Sequence, residues 1–180
     1  MKLLIIIPAK LDSKRLEKKN IQLINNKTLV EHSIDYAKAS SRKKEIIISS
    51  ESNIVKDIAL RNNVKFSERE KSLCGDTEVV DVYINILQNL DENYDYVVAL
   101  QPDHPDREHT LDYCLDYMIE NNYDDLITIE PNFKRSGSVR IFKYEFLINQ
   151  NVSKRIGCLR DSATDIHYLE DLNKAKNKMS

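Results

Sequence analysis

Every position from Leu3 to Ile7 is apolar, and isoleucine dominates the run. A continuous β-rich run of this length, with no polar alternation, predicts a strand over Lys2–Ile7 covered on both faces. Further runs predict strands at Glu45–Ser49 around Ile46, Ile47 and Ile48, at Val64–Phe66, at Tyr94–Leu100, at Leu126–Glu130 and at Ser138–Phe142. Between them the apolar period lengthens to that of a helix. Thr28 caps a segment carrying Leu29, Ile34 and Ala37, and Ser52 opens one carrying Ile54, Val55, Ile58 and Ala59. Asp76 or Thr77 caps a longer helix with the stripe Val80, Tyr83, Ile84, Leu87 and Leu90. Thr110–Asn121 turns Leu111, Cys114, Leu115 and Met118 inward, and Leu169–Lys178 forms a last, weakly apolar helix.

Alternation of strand and helix from end to end predicts an α/β fold, a three-layer αβα sandwich on a mostly parallel sheet. At 180 residues, without a Gly-, Pro- or Ser-rich linker, residues 1–180 form a single domain. Ligands of such sheets sit beyond the carboxyl ends of the strands. That directs attention to the loops after Ile7, Ser49, Phe66 and Leu100, and these loops hold nearly all the unusual chemistry.

Charge narrows the partners. The net charge of −2 offers no general attraction to nucleic acid or to an anionic membrane, so a basic site has to be local. The Leu3–Ile7 run is too short to span a bilayer, and no secretory leader pattern is present. Cys74, Cys114 and Cys158 are odd in number and widely spaced, which suits reduced thiols in a cytoplasmic protein.

The loop after the first strand, Pro8 to Asn20, holds Lys10, Lys14, Arg15, Lys18 and Lys19. Cations fixed along the path of a transferring phosphate stabilise the charge that builds there, and the Ser13 hydroxyl can serve a phosphate oxygen. No GxxxxGK[ST] or GxGxxG pattern accompanies them, so the same density also suits a solvated basic loop.

The order of motifs separates these readings. Pro8-Ala9, Ser13-Lys14-Arg15-Leu16 and Lys19-Asn20-Ile21 resemble the opening motif of the acylneuraminate and Kdo cytidylyltransferases, the CMP-sialic acid and CMP-Kdo synthetase family. Ile46-Ile47-Ile48-Ser49-Ser50-Glu51-Ser52 is similar to a second segment of that family, and Arg69 with Leu73 and Asp76-Thr77 to a third. Leu100-Gln101-Pro102-Asp103-His104-Pro105-Asp106-Arg107 and Asp165-Ile166-His167-Tyr168-Leu169-Glu170-Asp171-Leu172 follow in the same order, and Asp106 and Arg107 also suit a cap on the helix that follows. Lys10 stands where the family has arginine, and Glu17 where it usually has proline.

The resemblance implies a Rossmann-like sheet of the nucleotide-diphospho-sugar transferase type and transfer of CMP from CTP to an acidic sugar, with pyrophosphate released. It implies catalytic roles for Lys10, Arg15 and Lys19, and nucleotide contacts from Ala9, Lys10, Ser13, Lys14, Lys19, Asn20, Arg69, Asp76 and Gln101. It implies Mg²⁺, or Mn²⁺, held by Asp103, Asp165 and His167. An imidazole at 167 replaces the family's acidic residue and suits a transition metal better than magnesium. Family members also insert a long excursion that binds the sugar and reaches a partner subunit. Here residues 131–135 are all that stand in its place, so a homodimer stays open while the usual dimer and sugar-binding excursion is largely missing. Lys134, Arg135 and Arg140 are candidates to hold the small acidic acceptor. A smaller phosphonate or phosphate acceptor, and a nucleotide-binding domain without catalysis, are the alternatives.

Overall fold

In the computed structural model, which describes residues 1–74 and 78–180, the continuous apolar run lies near the middle of a seven-stranded sheet. The chain passes through β1 (Lys2–Pro8), a small hairpin of β2 (Leu23–Ile24) and β3 (Lys27–Thr28), and α1 (Leu29–Ala39). It continues through β4 (Lys43–Ser50), α2 (Asn53–Arg61), β5 (Lys65–Glu68), α3 (Val79–Gln88), β6 (Tyr96–Ala99) and α4 (Leu111–Glu120). It ends with β7 (Asp125–Ile129), β8 (Arg135–Lys143), α5 (Tyr144–Ile148), β9 (Ile156–Arg160) and α6 (Leu169–Lys178).

The strand order is β5-β4-β1-β6-β8-β7-β9. Only β8 runs antiparallel to its neighbours; the other pairings are parallel. Alternation along β1 explains its lack of polar positions. Leu3, Ile5 and Ile7 pack with α1, α2 and α4 on one face, while Leu4 and Ile6 pack with α3 and α5 on the other. This is the αβα sandwich that the pattern predicts.

Helix starts follow the side chains that can cap them. Thr28 and Glu31 form a reciprocal capping box on α1, Ser52 accepts from Ile54 N–H, and Thr110 accepts from Tyr113 N–H. The proposed caps Asp76 and Thr77 lie outside the described residues. On α3 the buried positions are Val82, Tyr83, Ile86 and Leu87, a stripe rotated from the expected one. That helix is apolar around most of its circumference, so periodicity alone does not select its face. Ile54, expected inward, is exposed in the first turn of α2.

Two elements carry too little pattern to be foreseen. α5 has only five residues. β9 reads Ile-Gly-Cys-Leu-Arg on the sheet edge and buries alternate residues only. Gly157 in that strand is required by close approach: a Cβ there would lie 2.3 Å from the Tyr123 ring.

β7 and β8 are joined by a tight turn with Phe133 in the left-handed region at φ 67°. Glu130 N–H donates to Lys134 O across it. The last helix, α6, packs Leu172 and Ala175 against Ile24, Leu29 and Ile166. Ile166 N–H also donates to Asp103 O at 3.0 Å, so the C-terminal segment is pinned beside the loop after β6. No helix among the described residues is long and apolar enough to cross a membrane.

Candidate functional site

From β1 the chain steps outward to β4 and β5, then crosses back to β6 on the other side of β1. The loops leaving β1 and β6 therefore diverge at a topological switch point, where open α/β sheets bind ligands. Ala9 N–H donates to Ser49 O, and Ser50 Oγ donates to Ala9 O at 2.7 Å, which fixes the exit from β1. The chain arcs outward, then turns back through Lys18 in the left-handed region and a short 3₁₀ turn, Lys19–Ile21. Asn20 Nδ2 donates to Lys10 O at 2.7 Å and closes the loop on itself.

This loop roofs a cleft of about 340 Å³. Lys10, Ser13, Lys14, Arg15, Lys19 and Asn20 line it from above. Gln101 and Asp103 form another side, Val79 and Val82 of α3 an apolar wall, and Arg69 enters from the end of β5. Arg69 is buried, and its Nη2 donates to Ser49 O at 3.0 Å. Burial lowers its pKa, opposed by the charge of Glu51. The arrangement aims a guanidinium into the cleft from a fixed base.

Lys19 Nζ lies 2.5 Å from Asp103 Oδ2, an ion pair that ties the two loops together across the cleft floor. Asp103 Oδ1 faces His104 Nδ1 at 3.0 Å. Burial works to raise the Asp103 pKa, but the His104 hydrogen bond and Lys19 outweigh it and hold the carboxyl well below the usual range. Asp103 therefore stays ionised within a largely buried setting.

Beside it, one ligand atom each from Asp103, His104 and Asp165 lie within 4.8 Å of one another. Among the described residues His104 Nε2 is buried without a hydrogen-bond partner, and it stands 3.8 Å from Asp165 Oδ1. His167 Nε2 lies 2.9 Å from the other oxygen, Asp165 Oδ2, so it sits behind that carboxylate and outside the trio. Two carboxylates and an orphaned buried imidazole nitrogen fit the ligand requirements of a divalent cation.

Most residues singled out in the sequence meet at this one place. Ala9 is fully buried at the base of the loop, and its neighbours Pro8 and Lys10 reach the cleft instead. Asp76 lies outside the described residues. The three acceptor candidates separate: Arg140 is forked onto Asp125 at 2.7 and 3.2 Å, and Lys134 pairs with Glu130. Of the three, Arg135 is exposed and shows no ion pair of that kind among the described residues. The cysteines are free thiols.

Two residues shape the site through contacts that their places in the sequence do not show. Arg107 reads as a helix-capping residue, yet Thr110 caps α4, and Arg107 is a brace: Nε donates to Ser138 O and Nη2 to Gln101 O. Gly137 lies against the Gln101 side chain, where a Cβ would stand 2.4 Å from Gln101 Oε1. Gly137→Ala should push that flexible side chain out of place. The fold can absorb the shift, with a Tm loss of at most about 2–4 °C. CTP affinity should fall about tenfold, or ~1.4 kcal/mol. Calorimetry and a binding titration check the two parts.

The comparisons agree with this geometry. The chain is 36% identical over 113 residues to CMP-N,N'-diacetyllegionaminic acid synthase of Legionella pneumophila, covering 60% of this chain and 49% of that protein. It is 38% identical over 105 residues to pseudaminic acid cytidylyltransferase of Campylobacter jejuni, covering 56% and 45%. The chain thus spans about half the length of the curated relatives it matches. The fold is that of CMP:2-keto-3-deoxy-manno-octonic acid synthetase solved with CTP, at a TM-score of 0.78 and 14% identity, over 99% of this chain and 98% of the other. Because the model described as cytidylyltransferase matches residues 4–173, nearly the whole length, the chain belongs to the cytidylyltransferase family.

Proposed function

We propose that the cleft binds CTP and transfers its CMP to an acidic sugar, releasing pyrophosphate. The observation that carries this reading is the convergence of Lys10, Ser13, Lys14, Arg15, Lys19 and Arg69 on one cleft at the switch point, in a chain of this family. Such transfer has little covalent chemistry for a protein to perform, so positioning and charge stabilisation supply most of the rate. In this role Ser13 and Asn20 orient phosphate oxygens, and Lys14 and Arg69 neutralise the bound triphosphate. Lys10, Arg15 and Lys19 meet the charge that develops as the bond to pyrophosphate breaks. A divalent cation, Mg²⁺ or Mn²⁺, would be held by the group that Asp103 of the cleft forms with His104 and Asp165, and would supply further charge to the phosphates.

The relatives' names point to legionaminic- or pseudaminic-type acids as acceptors. The tight β7–β8 turn supports a second reading, a more compact phosphate or phosphonate acceptor. Pyrophosphate release measured with CTP, over a panel of acidic sugars and small phosphonates, tests both. Release with a nine-carbon acid favours the first reading, release with a phosphonate alone favours the second, and CTP binding without any release favours a non-catalytic domain.

Cytosine should be preferred. This follows from family membership, and turnover with CTP is expected to exceed that with UTP or ATP at least about tenfold, a base discrimination of ~1.4 kcal/mol. Comparable turnover with UTP would contradict it.

A further inference from the structure

We infer that His104 is a metal ligand: its Nε2 and Asp165 Oδ1 hold a divalent transition-metal ion, such as Mn²⁺, in preference to Mg²⁺, and Asp103 orients the imidazole. The inference deepens the reading of this cleft as a cytidylyl-transfer site, on which it rests for the use made of the ion.

A carboxylate oxygen can only accept, so with Asp103 Oδ1 at 3.0 Å, His104 Nδ1 carries the proton. In the neutral ring Nε2 is then the lone-pair atom, and among the described residues it meets no hydrogen-bond partner, on a side chain only 2% exposed. A buried acceptor left in this state is unfavourable unless something electrophilic meets it. What it faces is Asp165 Oδ1 at 3.8 Å, a second acceptor, too distant for a hydrogen bond and close to the spacing of two ligands on one cation.

Each piece of the surroundings matches a metal-binding histidine. Such residues commonly donate their other ring N–H to a carboxylate, which fixes the tautomer and raises ligand basicity. Asp103 fills that role through Oδ1 while its Oδ2 stays with Lys19. Asp165 is held in the same way from behind, by His167 Nε2 on Oδ2 at 2.9 Å. Ile166 N–H donates to Asp103 O and keeps the two segments in register. An imidazole nitrogen beside a carboxylate suits manganese, cobalt or zinc, whereas magnesium favours an all-oxygen shell.

The test is made on the nucleotide-free full-length chain, with the metal alone as probe. Calorimetric titration should give one Mn²⁺ per chain, bound at least about tenfold more tightly than Mg²⁺. Electron spin echo envelope modulation of the bound Mn²⁺ should show ¹⁴N coupling from a directly ligated imidazole. His104→Gln should remove that coupling and weaken Mn²⁺ at least about tenfold. His167→Gln should keep the coupling. If His104→Gln fails to fold, coupling in the wild type that survives His167→Gln assigns it to His104, and coupling lost in His167→Gln overturns the inference. No Mn²⁺ binding, equal affinity for Mg²⁺, bound Mn²⁺ without ¹⁴N coupling, or a coupling lost in His167→Gln but kept in His104→Gln would each overturn the inference. Pyrophosphate release with no imidazole coupling would overturn this inference and leave the proposed function standing. Imidazole coupling in a chain that releases no pyrophosphate would do the reverse.

Discussion

Replacing Lys19 with alanine is expected to slow pyrophosphate release from CTP by roughly 10²–10³-fold, the effect of removing one fixed donor from a developing charge, ~2.7–4 kcal/mol. Lys19 reaches the cleft from the returning end of the loop after β1, and its ammonium is held 2.5 Å from Asp103 Oδ2. Its position is thus fixed before substrate arrives, which spares reorganisation in the reaction. The same pair gives the variant a stability effect that a loop cation on an open surface would lack. Side-chain exposure is 12% for Lys19 and 13% for Asp103, so the carboxylate loses a partner in a partly dry place. His104 remains bonded to it and the cleft admits water, so the loss should be about 1–3 kcal/mol, below that of an isolated buried pair. That range lowers Tm by roughly 2–12 °C in a chain of this size. Single-turnover rates with matched melting curves separate the two effects. Full turnover in Lys19→Ala would remove Lys19 from the reaction.

The largest stability effect is expected from Arg107→Leu. The guanidinium is enclosed beneath the loop after β6, about 4.9 Å above the Tyr36 ring, with Nε on Ser138 O at 2.8 Å and Nη2 on Gln101 O at 2.7 Å. Burial presses its pKa down, opposed by Tyr36 and Asp161. Leucine fills much of the space but takes the Nε donor from Ser138 O and leaves Gln101 O only the 3.4 Å bond from His104 N–H, at about 1–3 kcal/mol for a carbonyl left unmet. Removing a buried charge recovers part of this. A net loss of about 3 kcal/mol corresponds to a Tm lower by roughly 6–12 °C. Because Gln101 and Asp103 belong to the braced loop, CTP affinity measured well below that Tm should also fall. An unchanged Tm would mean that the brace contributes nothing net, and the position of Gln101 would need another cause.

The particular residues show which parts of this site a sequence reader can reach. Leu3–Ile7 announces a central strand because both faces are covered, and Thr28, Ser52 and Thr110 mark helix starts through a local hydrogen bond. The basic loop is equally local. Contacts made by folding are not: Lys19 and Asp103 meet across 84 residues. Arg107 beside a helix start looks like a cap until its donors are seen on two carbonyls from other segments. Arg140 looks like an acceptor-binding cation until the antiparallel pairing of β7 and β8 sets it against Asp125. His104 and Asp165 are 61 positions apart in number, and their segments meet through contacts made on folding: Ile166 N–H on Asp103 O, Thr164 on Asp106 and Ser162 on Glu108. β9 stayed hidden because an edge strand shows half the hydrophobic signal of a central one.

The central claim, a nucleotide seated at the switch point under the loop after β1, is tested most directly by a crystal structure of the full chain with CTP and a divalent cation, without acceptor. The account predicts the triphosphate beneath residues 10–20, with Ser13 Oγ and Lys19 Nζ within hydrogen-bond distance of phosphate oxygens and Arg69 facing the nucleotide. CTP bound in contact with neither Ser13 nor Lys19 would contradict it.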